Sequence, residues 1–424
     1  MTPTSTASAH AAQFDVAVVG GGVVGLAAAL GCAQCGLAVV LIAPKHISAE
    51  GGASAASSAP RSAARSATRA AAPGSFDPRI YALAPASIDL LTRLKVWQQV
   101  DGDRTQAIAR MRVFGDAGNE LTFDAYGAAV ERLATIVEEH ELVRVLASAC
   151  DFTPGITRMP VALAALTTDD AAVHLRLAVE RALAARLVLG ADGANSFVRA
   201  ACGINTREHS YQQSAVVANF NCETAHNATA FQWFTAEGVV ALLPLPGNCV
   251  SLVWSAPQVL AQQLVDRATG ADGRALAARV TERTEAIVGA LSAAGPAHAF
   301  ALRRLAVDRL IAARAALVGD AAHVVHPLAG QGLNLGLQDV AALLSVQQER
   351  AANERHRDPG DQVLLRRYAR ARAEPIGLMS VTTDGLARLF GSDNGVLRAA
   401  RNTGLSMVNA MGPLKRALIR QALG

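Results

Sequence analysis

Three stretches of this chain place glycines and carboxylates where they could hold a ligand. In the first, the Val-rich run Phe14 to Val19 leads directly into Gly20-Gly-Gly22-Val-Val-Gly25. A Gly-x-Gly-x-x-Gly between a strand and a helix binds a dinucleotide. Gly20 allows the turn, Gly22 the approach of a pyrophosphate, and Gly25 close packing of helix on strand. In the second, Leu187-Val-Leu-Gly190 runs into Asp192-Gly193 and then Ser196-Phe-Val-Arg199. In the third, Ala315-Ala-Leu-Val ends at Gly319-Asp320, and His323, His326, Pro327, Gly330, Gly332, Leu333 and Asn334 follow. This last stretch suits a cofactor with polyol hydroxyls and an electron-rich ring. Asp320 would take the hydroxyls, and the helix start near Gly332 would favour negative charge on the ring.

The elements that must position these residues follow from periodicity. Leu26 to Cys35 reads as a helix and Leu37 to Ile42 as a second strand, which completes a strand–helix–strand unit. The run Val16 to Pro44 has no charged residue and is long enough to span a bilayer. The glycines at 20, 21, 22, 25 and 36 break it where a strand would turn into a helix. The acid expected after the second strand, to hold a ribose, is missing, because Ala43-Pro44-Lys45 supplies none.

Arg79, just before a helix over Ala86 to Leu94, could reach a phosphate or pair with Asp77. Thr135 to His140 begins a further helix in this reading, running to Ala147. Asp192 and Arg199 could be a capping acid and a surface base. The repetition of a strand delivering an Asp into a glycine turn, here and at Asp320, favours a shared ligand instead. Ala215–Phe220, Phe231–Phe234, Val239–Leu243 and Cys249–Trp254 are β-rich and read as an antiparallel sheet apart from the nucleotide unit. Trp233, Phe234, Leu243, Pro244 and Trp254 on it are the candidate lining of an apolar pocket. Helix is expected over Val259 to Leu291, strand over Leu302 to Val307, and helix again from Leu333 and after Asp361.

Composition sets limits. The 424 residues allow more than one domain, and a net charge of +4 without basic blocks interleaved with aromatics argues against a nucleic-acid partner. Six scattered cysteines fit a reduced, cytoplasmic setting, with Cys32 and Cys35 as ordinary helix residues. Residues 47–75 are Ala/Ser/Gly-rich, with Arg61, Arg65 and Arg69 four apart, and read as a flexible insertion. The C-terminus carries Arg388, Arg398, Arg401, Lys415, Arg416 and Arg420 among apolar positions. It reads as helices covering the core, or as a basic apolar face that rests on lipid.

Together the three motifs resemble those of the group A flavoprotein monooxygenases. Asp77-x-Arg79, Ile136-Val-Glu138, Tyr211-x-Gln213, Ala241-Leu-Leu-Pro244 and His323-x-x-His326-Pro327-Leu-Ala-Gly330-Gln-Gly332-Leu-Asn334 narrow the resemblance to the ubiquinone-biosynthesis hydroxylases of the UbiH/UbiF type. Glu139 departs from it, since that family commonly has Asn there. The resemblance implies an α/β fold, with an FAD-binding Rossmann-like βαβ domain over 14–205 and 298–350. It is interleaved with an antiparallel-sheet substrate domain over 206–297, which the strands within 108–125 join, and followed by a helical C-terminal region over 362–424.

It also implies bound FAD and transient NADPH or NADH. FAD would be held by Gly20, Gly22, Gly25, Arg79, Glu138, Asp192, Gly193, Arg199, Gly319, Asp320, Pro327, Gly330, Gly332, Leu333 and Asn334, with His326, Pro327 and Gly330 beside the ring. A flavin C4a-hydroperoxide formed with O₂ would hydroxylate the ring of a polyprenylated phenol, with no catalytic side chain and no metal. A quinone-biosynthesis complex and peripheral contact with the inner membrane face are the expected partners. A non-catalytic FAD- or lipid-binding scaffold, and a same-fold epoxidase or prenyl reductase, are the rival readings.

Overall fold

The uncharged run from Val16 to Pro44 folds inside the protein. In a computed structural model, which describes residues 13–44, 76–115, 119–235, 237–269, 274–325 and 331–391, it forms β1 (Phe14–Val19), α1 (Val23–Gln34) and β2 (Val39–Ile42). From Val23 to Cys32 only Val24 in α1 is not buried, as expected for a helix that is apolar all round. No described helix is long and apolar enough to cross a membrane. The expectations for 47–75, for His326, Pro327 and Gly330, and for the chain beyond 391 lie outside the described residues.

After β2 come β3 (Ile80–Leu83), α2 (Pro85–Arg93), β4 (Thr105–Ile108), β5 (Arg110–Phe114), β6 (Glu120–Asp124), β7 (Ala134–Glu138) and α3 (Glu139–Asp151). Then follow β8 (Ile156–Met159), β9 (Leu163–Thr168), β10 (Val173–Leu177), β11 (Ala182–Gly190), α4 (Phe197–Ala201), β12 (Thr206–Cys222), β13 (Thr229–Thr235), β14 (Gly238–Leu245) and β15 (Cys249–Pro257). The chain continues through α5 (Gln258–Thr269), α6 (Arg274–Arg283), β16 (Leu291–Ala293), β17 (His298–Val307), β18 (Ile311–Ala312), β19 (Ala315–Leu317), β20 (His323–Val324), α7 (Gln331–Asn353) and α8 (Gln362–Gly391).

Three sheets result. The first has the order β18-β19-β11-β1-β2-β8 and is parallel from β19 to β8, with β10 and β9 added antiparallel beside β11. One face packs on α1, α2, α3, α7 and α8, and the other on the β9–β10 ribbon and Val198 of α4. A parallel sheet covered on both faces requires strands that are apolar on both sides, and β1, β2 and β11 read that way. The second sheet, β20-β17-β12-β15-β14-β13-β5-β6, is antiparallel except where β13 meets β5. Its even-numbered positions on β12, β14 and β15 pack under α5 and α6. The small sheet β3-β7-β4 lies between the two larger ones.

Three expectations change. Residues Ala134–Glu138 form a strand paired with β3 and β4, and the helix starts only at Glu139. The β-branched Thr135-Ile-Val prefers the sheet once two neighbours are present to pair with it. The helix expected over Val259 to Leu291 is two helices followed by a strand at Leu291, with Gly270 and Gly273 in the intervening sequence. Strand β17 from His298 pairs with β12, so the return to the dinucleotide unit comes after Val307 rather than at 298.

The helical layer is locked to the first sheet by one buried carboxylate. Asp339 on α7 is fully buried and accepts from Gly319 N at 2.9 Å, His323 Nε2 at 2.7 Å and Arg372 Nε of α8 at 2.7 Å. The guanidinium also reaches Leu335 O, and Tyr368 Oη donates to Leu317 O at 2.7 Å. An ion pair of this kind adds little net stability when intact, but removing one partner strands the other without water. Arg372→Ala is therefore expected to cost about 3–5 kcal/mol in urea unfolding. A loss below about 1 kcal/mol would show that this pair does not hold α8 to the turn.

Candidate active site

The glycine loop has the geometry its spacing predicts. Gly20 has φ +124°, and a Cβ there would lie 2.1 Å from Ala191 O, while one on Gly25 would lie 2.1 Å from Gly20 O. A Cβ on Gly22 would meet nothing within 4 Å. Gly20 and Gly25 are thus glycine for packing, whereas Gly22 leaves open space. It sits at the start of α1, which has no side-chain cap. The first N–H groups of that helix point into the same space, which suits an anion. A Cβ on Gly332, in the first turn of α7, would likewise meet nothing, and Leu333 beside it packs on the core.

The Asp320 turn is built from behind. Gly319 has φ +61° and is pinned by Asp339, with Val24 3.2 Å from where its Cβ would be. Arg199 is buried and donates to Ala321 O at 3.0 Å and Ala194 O at 2.8 Å, so it joins the second motif to the third. The outcome is an Asp320 side chain that stays exposed at the floor of a cleft. Protein packed around its other sides raises its pKa; His323 and Arg79 oppose that shift and Glu139 adds to it.

Arg79 forms the facing wall. Its Nη1 donates to Glu139 at 3.0 Å, and its guanidinium lies over the Phe300 ring at 4.9 Å. The Asp77 carboxylate accepts from the backbone N–H of Arg79, so the ion pair of Arg79 is with Glu139 and not Asp77. Tyr81, whose pKa burial raises, lies within electrostatic reach of Glu139, Arg79 and Asp320.

Several predicted ligand residues also have partners within the protein. Glu138 is buried and is taken up by Arg104 Nε at 2.5 Å and Nη2 at 2.7 Å, and by Asp77 N. The next residue, Glu139, is the one that reaches the cleft wall, because adjacent residues point opposite ways at the end of a strand. Asn334 is also buried. Its Oδ1 accepts from Ala84 N at 2.9 Å and Ser87 Oγ at 2.8 Å, and its Nδ2 donates to Ala82 O at 2.8 Å. It stitches α7 to β3 and α2. Asp192 accepts from Ser196 Oγ, Phe197 N and Val198 N, so it caps α4. Arg199 is a buried tether rather than a surface base. Gly193, at φ +80°, makes the turn between them.

The proposed aromatic pocket divides between the two faces of the second sheet. Trp254 is fully buried under α5 and α6, and Trp233 stacks on Phe114 at 5.1 Å on that same helical face. Pro244 lies opposite Val250 and shares it. Only Phe234 and Leu243 fall on the face turned toward the dinucleotide unit. Strand alternation separates the sets, and the aromatic count concealed it. The inward face also carries Val217, Val253 and Ala241 in one cross-strand row, the last two half-exposed, and Phe300 opposite Ala215.

This geometry fits FAD on the molecule's own terms. The open space at Gly22 before the uncapped α1 would take the pyrophosphate. The exposed Asp320 would take the ribityl hydroxyls. The start of α7 would lie nearest the ring, and bound FAD would supply the redox chemistry. The fold and cleft define a flavoprotein oxidoreductase built from a dinucleotide unit and a facing antiparallel sheet.

Residues 70–374 match the family model described as "FAD binding domain". The chain is 34% identical over 415 residues to the ubiquinone hydroxylase UbiL of Rhodospirillum rubrum, covering 97% of this chain and 89% of that protein. It is 35% identical over 413 residues to the 3-demethoxyubiquinol 3-hydroxylase of Escherichia coli, covering 97% and 98%. Among solved structures, the p-nitrophenol 4-monooxygenase PnpA of Pseudomonas putida superimposes with a TM-score of 0.74 at 17% identity, covering 96% and 98% of the two chains. The chain belongs to the FAD-binding-domain family of flavoprotein monooxygenases that includes these ubiquinone hydroxylases. It is an FAD-dependent hydroxylase.

The two open and closed glycines give a paired test. Gly25→Ala should lower the melting temperature of the FAD-free protein, because its methyl collides with Gly20 O. Gly22→Ala should leave that temperature unchanged and weaken FAD binding, read by quenching of flavin fluorescence. Asp320→Ala should weaken FAD binding by about tenfold or more, and unchanged flavin content would remove Asp320 from the flavin site.

Proposed function

We propose that the protein hydroxylates the aromatic ring of a polyprenylated phenol on the route to ubiquinone, using NAD(P)H and O₂. The observation that carries this is the inward face of the second sheet. Opposite the Asp320 turn it offers a half-open apolar floor of Val217, Ala241, Val253 and Leu243, suited in chemistry to a ring and its prenyl tail. The names of relatives about one-third identical across nearly the whole chain support the same substrate class. The residues of this chain bind, orient and shield: Gly22 and α1 carry the phosphates, Asp320 fixes the ribityl chain, and the sheet face excludes water from the ring.

We also place the protein at the periphery of the inner membrane face, where such a substrate resides. In support, α8 exposes Leu378 (49%) and Val381 (69%) along the helix that also carries exposed Arg366 and Arg370. Assembly with other enzymes of the route belongs to the same proposal. The purified protein is expected to be yellow, and a short-chain 2-prenylphenol should speed its oxidation of NAD(P)H and gain one oxygen atom by mass. Flavin retention without any stimulation by phenols would instead support a non-catalytic scaffold, the rival that the missing ribose acid at Ala43 favours.

A further inference from the structure

Four side-chain amides are buried among the described residues, and three of them are tied down. Asn334 Nδ2 donates to Ala82 O at 2.8 Å, Asn219 Nδ2 to Phe76 O at 2.9 Å and Gln347 Nε2 to Pro359 O at 3.1 Å. The fourth, Gln232 on β13, is 6% exposed and makes no hydrogen bond from either end of its amide among the described residues. Neither Oε1 nor Nε2 is sealed off, so the little surface that Gln232 shows includes its polar tip. An unpartnered amide in an apolar wall is costly, and it is tolerated where something polar can reach it.

Strand pairing defines its surroundings. Val217, Val253, Ala241, Gln232, Val113 and Leu121 are successive cross-strand partners and form one row on the inward face. Every other member of the row is apolar. Ala241 and Val253 are half-exposed, whereas Val113 and Leu121 are buried at 6% and 5%. The open strip of floor therefore ends at Gln232, one strand spacing of about 5 Å from Ala241. The adjacent row on the same face runs through Phe300, Ala215, Ser255, Val239 and Phe234, and the Arg79 guanidinium lies over Phe300. The strip thus adjoins the cleft wall.

An aromatic ring lying over Ala241 and Val253 would bring a substituent on its edge to the amide. Nε2–H donates and Oε1 accepts, so a ring hydroxyl can bond to either one, whereas a C–H edge leaves both unmet. The amide does not titrate, so it orients the ring and takes no proton from it.

We infer that Gln232 is a specificity-determining residue that receives a hydroxyl of the aromatic substrate at the edge of this floor. This rests on the proposed phenol hydroxylation and names how the ring is held. The test uses the FAD-loaded protein, titrated with a short-chain 2-prenylphenol and with the matching prenylbenzene, binding being read from the flavin absorbance. Wild type should bind the phenol about tenfold more tightly than the prenylbenzene. Gln232→Met, of similar length and without the amide, should weaken phenol binding by about five- to tenfold and reduce that preference to about twofold or less. Prenylbenzene affinity, flavin content and melting temperature should not fall, because the amide has no partner in the protein to lose. Should Gln232→Met not retain FAD, Gln232→Asn, which withdraws the same amide by one methylene, is expected to lose the preference likewise. A preference for the phenol kept in these variants would overturn the inference. Absence of phenol binding by wild type would overturn the proposed function with it. Normal wild-type turnover of the phenol with no binding preference over prenylbenzene would overturn the inference alone.

Discussion

Asp339 is the residue on which the cleft depends. A carboxylate with no exposure to water would ordinarily neutralise or pull the local structure apart. Here its two oxygens receive a backbone N–H and an imidazole from one turn and a guanidinium from α8. The first of these holds Gly319 in the left-handed conformation that turns the chain and leaves the next side chain, Asp320, facing outward. The second fixes His323, which the sequence places among the cofactor motifs but which is spent on the scaffold. The third brings α8 over the back of the turn. Exposure of Asp320 is thus the result of burying Asp339.

The same division of labour recurs around the cleft. Arg199 ties the Asp192 turn to the Asp320 turn through Ala321 O, and Asn334 ties the start of α7 to β3 and α2. Glu138 and Arg104 neutralise each other beneath the wall that Arg79 and Glu139 form. A site for a large anionic cofactor needs its backbone N–H groups free and its position fixed. The polar side chains nearest it are therefore used up in holding the loops, and the surface offered to the ligand is mostly glycine and helix ends. Among the carboxylates of the three motifs, Asp320 is the one left facing the cleft.

Much of this was legible in the sequence. The strand–glycine–helix–strand order, both later Asp-bearing turns and the separate β-rich segment all follow from periodicity and glycine spacing, because each is a local property of a short stretch. The errors share one cause. Thr135 to Glu138 became a strand because β3 and β4 lie on either side of it. Glu138 pairs with Arg104 and Glu139 with Arg79 because strand direction decides which of two neighbours faces the cleft. Trp233 and Trp254 turned away from the pocket because alternation, referred to the correct sheet face, sends them under α5 and α6. An internal signal existed for Asp339 and Arg372: each is a charge on the apolar stripe of a helix, where only a buried partner makes it tolerable.

By itself the sequence determined the strand–glycine–helix turn at Gly20 to Gly25 and the strand that ends just before Asp320, since glycine freedom and a strand's end are set by a few adjacent residues. Which polar groups remain free for a ligand was decided only by tertiary structure. Whether Asn334, Asp192 or Glu138 faces the cleft or a backbone amide depends on segments up to about 250 residues away, as the contact between Ala84 and Asn334 shows.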